Sequence, residues 1–419
     1  MFELLNENGQ QAEIKVIGVG GGGGNAVDYM IQNRIEGVDF ITANTDAQAL
    51  DRSSADHILQ IGSRTTKGLG AGADPDIGKE AAEEDSERIL QLMEGADMVF
   101  VTAGMGGGTG TGAAPIVAGI AKQLNILTVA VVTTPFPFEG AHRMSLAQKG
   151  MEDLRQQVDS LIVVPNAKLL EMNEDMTLVE AFAEGNKVLH GAVQGIAELI
   201  TRAGLINVDF ADVKAIMSSG GMSMMGTGTD NTESRAEVAA HKAICSPLLE
   251  DIEIKGAQGI LVNVTAGMDM KTREFEAVGQ VVRDFAADDA NIVMGTVLDP
   301  NIEDGHMRVT IVATGVEHAK SDSARRRAAP VRRERVAIAR PAAAATGNAD
   351  SASAAPVNAA PDYSEYDIPT IERNAGAATG VSPLERKTPP APKKVAKSNE
   401  RSARSVIRRI PSLLRNQAN

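Results

Sequence analysis

Two glycine-rich stretches are the first places where this sequence offers chemistry. Gly18-Val-Gly-Gly-Gly-Gly-Gly-Asn25 directly follows the apolar run Ala-Glu-Ile-Lys-Val-Ile and leads into the helix-compatible segment Ala26 to Ile31. Glycines in such a turn let backbone N–H groups approach phosphate oxygens, and the N-terminus of the following helix adds partial positive charge. Taken alone, the stretch satisfies G-x-G-x-x-G and suggests a dinucleotide, with a merely structural tight turn as the plainer alternative. The second stretch, Gly104-Met-Gly-Gly-Gly-Thr-Gly-Thr-Gly112, also follows an apolar run and opens a helix at Ala113. Two such turns can face one ligand from two sides, whereas a dinucleotide site needs one. Thr109 and Thr111 would add hydroxyl donors of the kind a triphosphate requires; a flexible glycine hinge is the competing reading. A P-loop is excluded, because the segment from Gly72 to Gly78-Lys79-Glu80 has one residue too many between its glycines and no Ser or Thr after the lysine.

The elements that must position these turns follow from pattern. Short apolar runs at 12–18, Val38 to Ala43, 97–103, Ile126 to Thr133 and Ser160 to Val164 predict buried strands, separated by helix-length polar segments such as Lys79 to Glu94. Strands alternating with helices predict a parallel sheet covered on both faces. Leu178, Phe182, Leu189, Val193, Ile196 and Ile200 recur at helical spacing and predict a long helix with one buried stripe. Beyond it, 259–265, 292–298 and 308–314 are β-rich runs joined by turns, a second and smaller α/β domain over about 207–318.

Charge and composition separate the rest of the chain. Of 419 residues, the stretch from Lys320 to Asn419 holds 19 Lys+Arg and 9 Asp+Glu, a net +10, against −24 for the residues before it. Ten of the 17 prolines and none of the nine phenylalanines lie in that stretch. It cannot build a core and is expected to be a solvated low-complexity linker. One cysteine, Cys245, excludes a disulfide framework and a cysteine-based zinc site; it is expected to be a small buried residue. No metal site is expected from the protein's own ligands. The longest apolar runs are about a strand long, far short of the roughly 20 residues of a bilayer span, and no secretory signal is expected at the N-terminus.

Several motifs in order carry a family resemblance: GGGGN at 21–25, Asn44-Thr-Asp46, Gly68-Leu-Gly-Ala-Gly72, GGGTGTG at 106–112, Pro135-Phe-Pro-Phe-Glu-Gly140 and Asn207-Val-Asp-Phe-Ala-Asp212. Over roughly residues 12–318 the chain resembles the tubulin/FtsZ GTPase superfamily, in its bacterial cell-division branch. The resemblance implies a Rossmann-like GTPase domain at 12–176, a central helix at 177–206 and a second α/β domain at 207–318 with a catalytic loop at its start. A disordered linker at 319–405 and a partner-docking peptide at 406–419 would follow. It implies GTP and GDP as ligands, with Mg²⁺ and K⁺ as candidate cations. Gly21, Gly22, Gly23, Gly24 and Asn25 with Gly108, Thr109 and Gly110 would hold the phosphates, Gly106, Gly107 and Thr111 completing the second loop. Glu139 and Arg143 would hold the ribose and phosphate side, Asn166 the sugar or base, and Asn186 the guanine edge with Phe182 against the base. Many relatives carry Asp at the Asn186 position; an Asn carbonyl can still accept one guanine hydrogen. For Phe182 core packing is the alternative, and for Glu139 a solvated loop charge.

Asp209 and Asp212 are the catalytic candidates. From the residues alone they are an Asx turn or helix cap. In relatives this loop enters the nucleotide pocket of the next molecule, which implies hydrolysis in a site shared by adjacent subunits of a head-to-tail polymer. The resemblance further implies a cytoplasmic protein at the mid-cell division ring beneath the inner membrane. Membrane-tethering and regulatory division proteins would dock on Arg409 to Asn419, or on the partial copy Tyr366 to Arg373. Nucleic acid is not an expected partner, although a basic tail can touch it or anionic lipid. Two rival functions stand beside this one. A nicotinamide-dependent dehydrogenase needs an acidic residue about 20 positions past the glycine turn at a strand end; Asp39 falls near that spacing but inside the predicted strand, and the second glycine loop stays unexplained. A structural filament without useful hydrolysis leaves Asp209 and Asp212 unexplained.

Overall fold

The computed structural model describes residues 12–316 apart from 173–174, 203, 219–220, 250–256, 288–289, 301 and 303–304. Both tail peptides and the linker lie outside the described residues. The first half alternates as expected: β1 (Ile14–Val19), α1 (Gly20–Gln32), β2 (Asp39–Asn44), α2 (Ala47–Leu50), β3 (His57–Gln60), α3 (Ser63–Thr66), α4 (Pro75–Glu84), α5 (Ser86–Met93), β4 (Met98–Gly104), α6 (Thr109–Gln123), β5 (Leu127–Thr134), α7 (Ala141–Arg155), β6 (Ser160–Pro165) and α8 (Asn166–Met172). Then come α9 (Leu178–Thr201), α10 (Phe210–Met217), β7 (Met222–Asp230), α11 (Arg235–Ile244), β8 (Gly259–Ala266), α12 (Thr272–Phe285), β9 (Asn291–Leu298) and β10 (Met307–Val316).

The strands form one sheet in the order β3-β2-β1-β4-β5-β6-β7-β10-β8-β9. From β3 to β6 every pair is parallel, and β7–β10 and β10–β8 are antiparallel. The seam between the halves is short: β6 meets β7 only at Leu161–Met222 and Ile162–Ser223, where the Ser160 and Ser223 hydroxyls bond at 2.7 Å. The chain passes outward from β1 in two directions, to β2 on one side and β4 on the other. This reversal opens a crevice at the carboxyl ends of β1 and β4, the place where open α/β sheets hold ligands.

Period-two alternation in β1 explains the layering. Ile14 and Val16 join α1, α9 and α10 in a core covering one face of the whole sheet. Ile17 and Val19 face the other way, into a core with α4, α5, α6 and α7. The corresponding face of the second half packs on α11 and α12.

Helix α9 starts on a capping box. The Thr177 N–H donates to Glu180 Oε2 at 2.8 Å, and the Glu180 N–H donates back to Thr177 Oγ1 at 3.3 Å. The Thr177 N–H, and after it the Thr177 hydroxyl, which donates to the same carboxylate oxygen at 2.8 Å, hold the Glu180 carboxyl below its usual range.

Four expectations change. The segment Lys79 to Glu94 is two helices, because Asp85 at their junction turns its buried carboxylate to the Gly62 N–H at 2.8 Å and the Arg88 guanidinium at 2.8 Å. The stripe on α9 is buried only from its middle onward: Leu189, Val193 and Ile196 are buried, but Leu178 and Phe182 are 58% and 47% exposed. Strands β3 and β7 arise where no apolar run announced them. Cys245 is exposed, at the C-cap of α11, since the buried face of that helix is filled by Ala236, Ala239, Ala240 and Ala243.

Candidate functional site

The two glycine turns meet at the crevice. Gly20 has φ +73°, and a Cβ there would lie 2.8 Å from the Gly110 nitrogen. A Cβ on Gly22 would lie 3.0 Å from Gly104 Cα. Side chains would force the loops apart, so this approach explains the glycines on both sides. By contrast, a Cβ on Gly21 or Gly107 would meet no protein atom within 4 Å; both residues border open space.

That space is a cavity of about 390 Å³. It is lined by Gly21, Gly22 and Asn25 of α1, by Gly107, Gly108, Thr109 and Gly110 of the second loop, and by Glu139, Arg143, Asn166, Phe182 and Asn186. Twelve of the expected nucleotide-binding residues are thus brought together. Gly23, Gly24, Gly106 and Thr111 are not in the lining. Gly23 is packed against the Thr102 carbonyl and Gly24 against the Thr42 methyl. Gly106, at φ +93°, is wedged between Pro135 and the Arg143 carbonyl. Thr111 is buried, and its hydroxyl oxygen accepts the Gly106 N–H at 2.8 Å. It braces the loop from below, a role that residue type alone does not distinguish from contact with a phosphate.

The electrostatics suit an anion. The N-termini of α1 and α6 both open on the crevice, and neither helix has an acidic residue in its first turn. Arg143 is the only cation, and Glu139 the only carboxylate, among the described residues of the lining. Glu139 is fully engaged: Oε2 accepts from Arg143 Nη1 at 2.6 Å and Oε1 from the Phe136 N–H at 2.9 Å. Phe182 borders the cavity edge-to-face with Phe136, ring centroids 5.1 Å apart, on the exposed N-terminal part of α9. Asn166 is buried, yet its Oδ1 has no hydrogen-bond partner. An orphaned acceptor bordering a glycine-lined cavity fits a ligand that brings polar hydrogens, as a nucleoside does.

Asp209 and Asp212 lie elsewhere. Asp209 occupies the N-cap position of α10 without a side-chain cap bond, and Asp212 lies in the first turn; both are exposed and neither borders the cavity. Val208, Val213 and Ile216 anchor this segment in the core, while Leu205 beside it is 70% exposed. Among the described residues no three His, Cys, Asp or Glu side chains cluster as a metal site. A larger cleft of about 730 Å³ lies among α4, α6 and α7, but no orphaned buried polar atom borders it.

Sequence reasoning missed Thr45. It is completely buried, and its hydroxyl lies 2.6 Å from that of Thr109; the Asn44-Thr-Asp46 motif was the available signal.

Comparison with known proteins bears on the whole of this. The sequence model of the Tubulin/FtsZ family, GTPase domain, matches residues 13–174, and that of the FtsZ family, C-terminal domain, matches 221–317. The cell division protein FtsZ of Coxiella burnetii is 60% identical over 317 residues, 75% of this chain and 82% of its own. That of Pseudomonas aeruginosa is 51% identical over 391 residues, 89% of this chain and 99% of its own. Among solved structures, an FtsZ dimer from M. jannaschii is 47% identical with a TM-score of 0.70, covering 73% of this chain and 88% of that one.

Proposed function

This chain belongs to the FtsZ family as a tubulin-like, GTP-hydrolysing cell-division protein that binds guanine nucleotide and associates with itself, and from that premise we propose how its residues divide the work. The cavity at the ends of β1 and β4 is the GTP site. Backbone N–H groups of Gly21, Gly22 and Gly107 to Gly110 and the two helix N-termini cradle the phosphates. Arg143, held by Glu139, neutralises phosphate charge. Asn166 and Asn186 read the sugar and the base edge, and Phe182 lies against the base.

The observation that carries the rest is the state of the carboxylates. Glu139 is held by Arg143 and the Phe136 N–H, so among the described residues the cavity has a phosphate cradle but no unengaged carboxylate to position an attacking water. Asp209 and Asp212 are exposed and free of the cap bond that would occupy Asp209. They act on the nucleotide of the neighbouring subunit, orienting and polarising the water in line with the terminal phosphate. Hydrolysis is then assembly-dependent, and a contact that repeats without closing generates a filament. Loss of the terminal phosphate removes charge and hydrogen bonds at the junction and loosens it.

Mg²⁺, with K⁺ as the alternative, fits this donor set. Mg²⁺ is usually held by phosphates, water and one or two carboxylates, so no protein cluster is required; Asp209 and Asp212 are the residues that would hold it, and it would neutralise charge on the phosphates. Membrane-tethering and regulatory division proteins dock on 406–419 or 366–373, placing the filament at the mid-cell ring on the cytoplasmic side of the inner membrane. No described helix is long and apolar enough to cross a membrane.

The test is phosphate release with GTP and Mg²⁺ across protein concentrations, with ATP in parallel and light scattering alongside. Activity per molecule should switch on above a threshold, together with scattering and only with GTP. Constant activity per molecule down to high dilution means a complete site in each monomer and removes the roles given to Asp209 and Asp212.

A further inference from the structure

We propose that Thr45 is a positioning residue that sets the Thr109 hydroxyl for donation to a nucleotide phosphate and couples that contact to the loop at 66–70. The proposal rests on the GTP site assigned above. Thr109 opens α6 and lines the cavity. Its hydroxyl and that of Thr45 are 2.6 Å apart, so one donates to the other. Each hydroxyl has a single proton, and a phosphate oxygen only accepts. Once Thr109 gives its proton to phosphate, the bond between the threonines has one possible direction, Thr45 to Thr109. The occupied site therefore contains a one-way chain, Thr45 to Thr109 to phosphate, in which each donor strengthens the next.

The other end of Thr45 is tied to a loop. Its carbonyl accepts from the Gly70 N–H at 3.2 Å, and the Thr66 hydroxyl, which donates to the Gly62 carbonyl at 2.9 Å, also lies 3.3 Å from it. The next two residues continue the stitching: Asp46 forms a β-bridge with Leu69, and the Ala47 N–H donates to the Gly68 carbonyl at 3.1 Å. The loop so held presents Leu69, 84% exposed, to solvent. Thr45 thus joins the phosphate-facing hydroxyl to a surface loop through a single buried residue. A purely structural threonine would need its hydroxyl satisfied, but not by a partner that itself lines the nucleotide cavity.

The experiment uses the full chain below its assembly threshold and measures affinity for GTP and for guanosine, which has no phosphate. Thr45→Val removes the hydroxyl and keeps the shape; Thr45→Ser keeps the hydroxyl; Thr45→Ala stands in if the valine chain does not fold. The valine variant should bind GTP about fivefold more weakly, the scale of one hydrogen bond between neutral groups. It should bind guanosine within about twofold of wild type, and the serine variant should restore GTP affinity. Thr109→Val combined with Thr45→Val should be no weaker than Thr109→Val alone, since the two hydroxyls act as one chain. Equal losses for GTP and guanosine, unchanged GTP affinity, or losses that multiply in the double variant would each overturn the proposal. A wild-type chain that binds no guanine nucleotide would instead remove the GTP-site reading beneath it.

Discussion

The shared-site reading makes a quantitative demand on mixtures of two individually inactive chains. Gly21→Glu is the first. A Cβ at Gly21 meets no protein atom within 4 Å, so the new side chain enters the cavity rather than the core. Its carboxylate takes the space and repels the charge of the phosphates, and at the α1 N-terminus it is not itself destabilising. Asp212→Ala is the second; Asp212 is exposed and lines no part of the cavity, so GTP binding should survive. Neither chain alone should hydrolyse GTP. In a random equimolar copolymer about one junction in four pairs an intact cavity with an intact Asp212, because each half is supplied independently at a head-to-tail contact. Phosphate release should therefore recover to about one quarter of the wild-type rate, with sedimentation of a tagged Gly21→Glu chain together with the Asp212→Ala polymer verifying that the two chains enter the same polymer. A monomer that carries a whole site gives no active junction in any mixture. Copolymer without hydrolysis would refute the argument, whatever the activity of each variant in isolation.

Three further predictions concern the central helix. His190 lies on α9, edge-to-face with Tyr29 of α1 and within the field of Arg308 on β10, and its Nε2 has no partner. Burial, with Arg308 adding to it, lowers its pKa from 6.5 to about 4. The folded chain thus keeps a neutral imidazole where the unfolded chain takes up a proton. Stability from this source is complete above about pH 6.5 and is lost as pH falls towards 4, by roughly 3 kcal/mol in all. Urea midpoints for wild type and His190→Gln should diverge in slope over that window; parallel slopes would show that another group titrates. On the same helix, Val193→Ala should cost about 2 kcal/mol by opening a cavity in the core. Phe182→Ala should cost less in stability but weaken GTP binding by roughly 5-fold to 100-fold, the range for loss of an aromatic surface under a base. A Phe182 variant that unfolds as readily as the valine one, with GTP affinity intact, would return Phe182 to the core.

How much of this was legible in the sequence depended on whether a residue's role is set by its own neighbours in the chain. The strands β1, β2, β4, β5 and β6 are apolar runs between glycine and polar punctuation, and periodicity locates them. β7 escapes because its packing demands small residues: Cβ atoms on Gly226 and Gly228 would run into the carbonyls of Ala243 and Ala239 on α11. Its sequence Met-Ser-Met-Met-Gly-Thr-Gly-Thr-Asp therefore carries little of the usual strand signal. The stripe on α9 misleads for a related reason. Leu178 and Phe182 share the periodicity of Leu189 and the core, but they lie on the exposed N-terminal part of the helix, where Phe182 borders a cavity. Period tells which residues share a face and not what that face meets.

The glycine turns show the same division at the site itself. Their spacing after two strands is enough to bring both turns to one cavity, because the strand order makes β1 and β4 neighbours at the point of reversal. It is not enough to separate Gly21 and Gly107, which border the open cavity, from Gly23 and Gly106, which exist because backbone or proline lies against them. Thr109 and Thr111 are two residues apart and chemically identical; one faces the cavity and the other bonds the Gly106 N–H beneath it. Thr45 is further still from recognition, since its partner is 64 positions away. Asp209 and Asp212 mark the opposite limit. On the shared-site proposal the groups they act on belong to the next chain, so no single chain displays the role that their motif suggested. If the mixing experiment succeeds, a binding half at the ends of β1 and β4 and a carboxylate half on α10 are each incomplete within the monomer, and completion by repetition of the same subunit would turn nucleotide state into filament state.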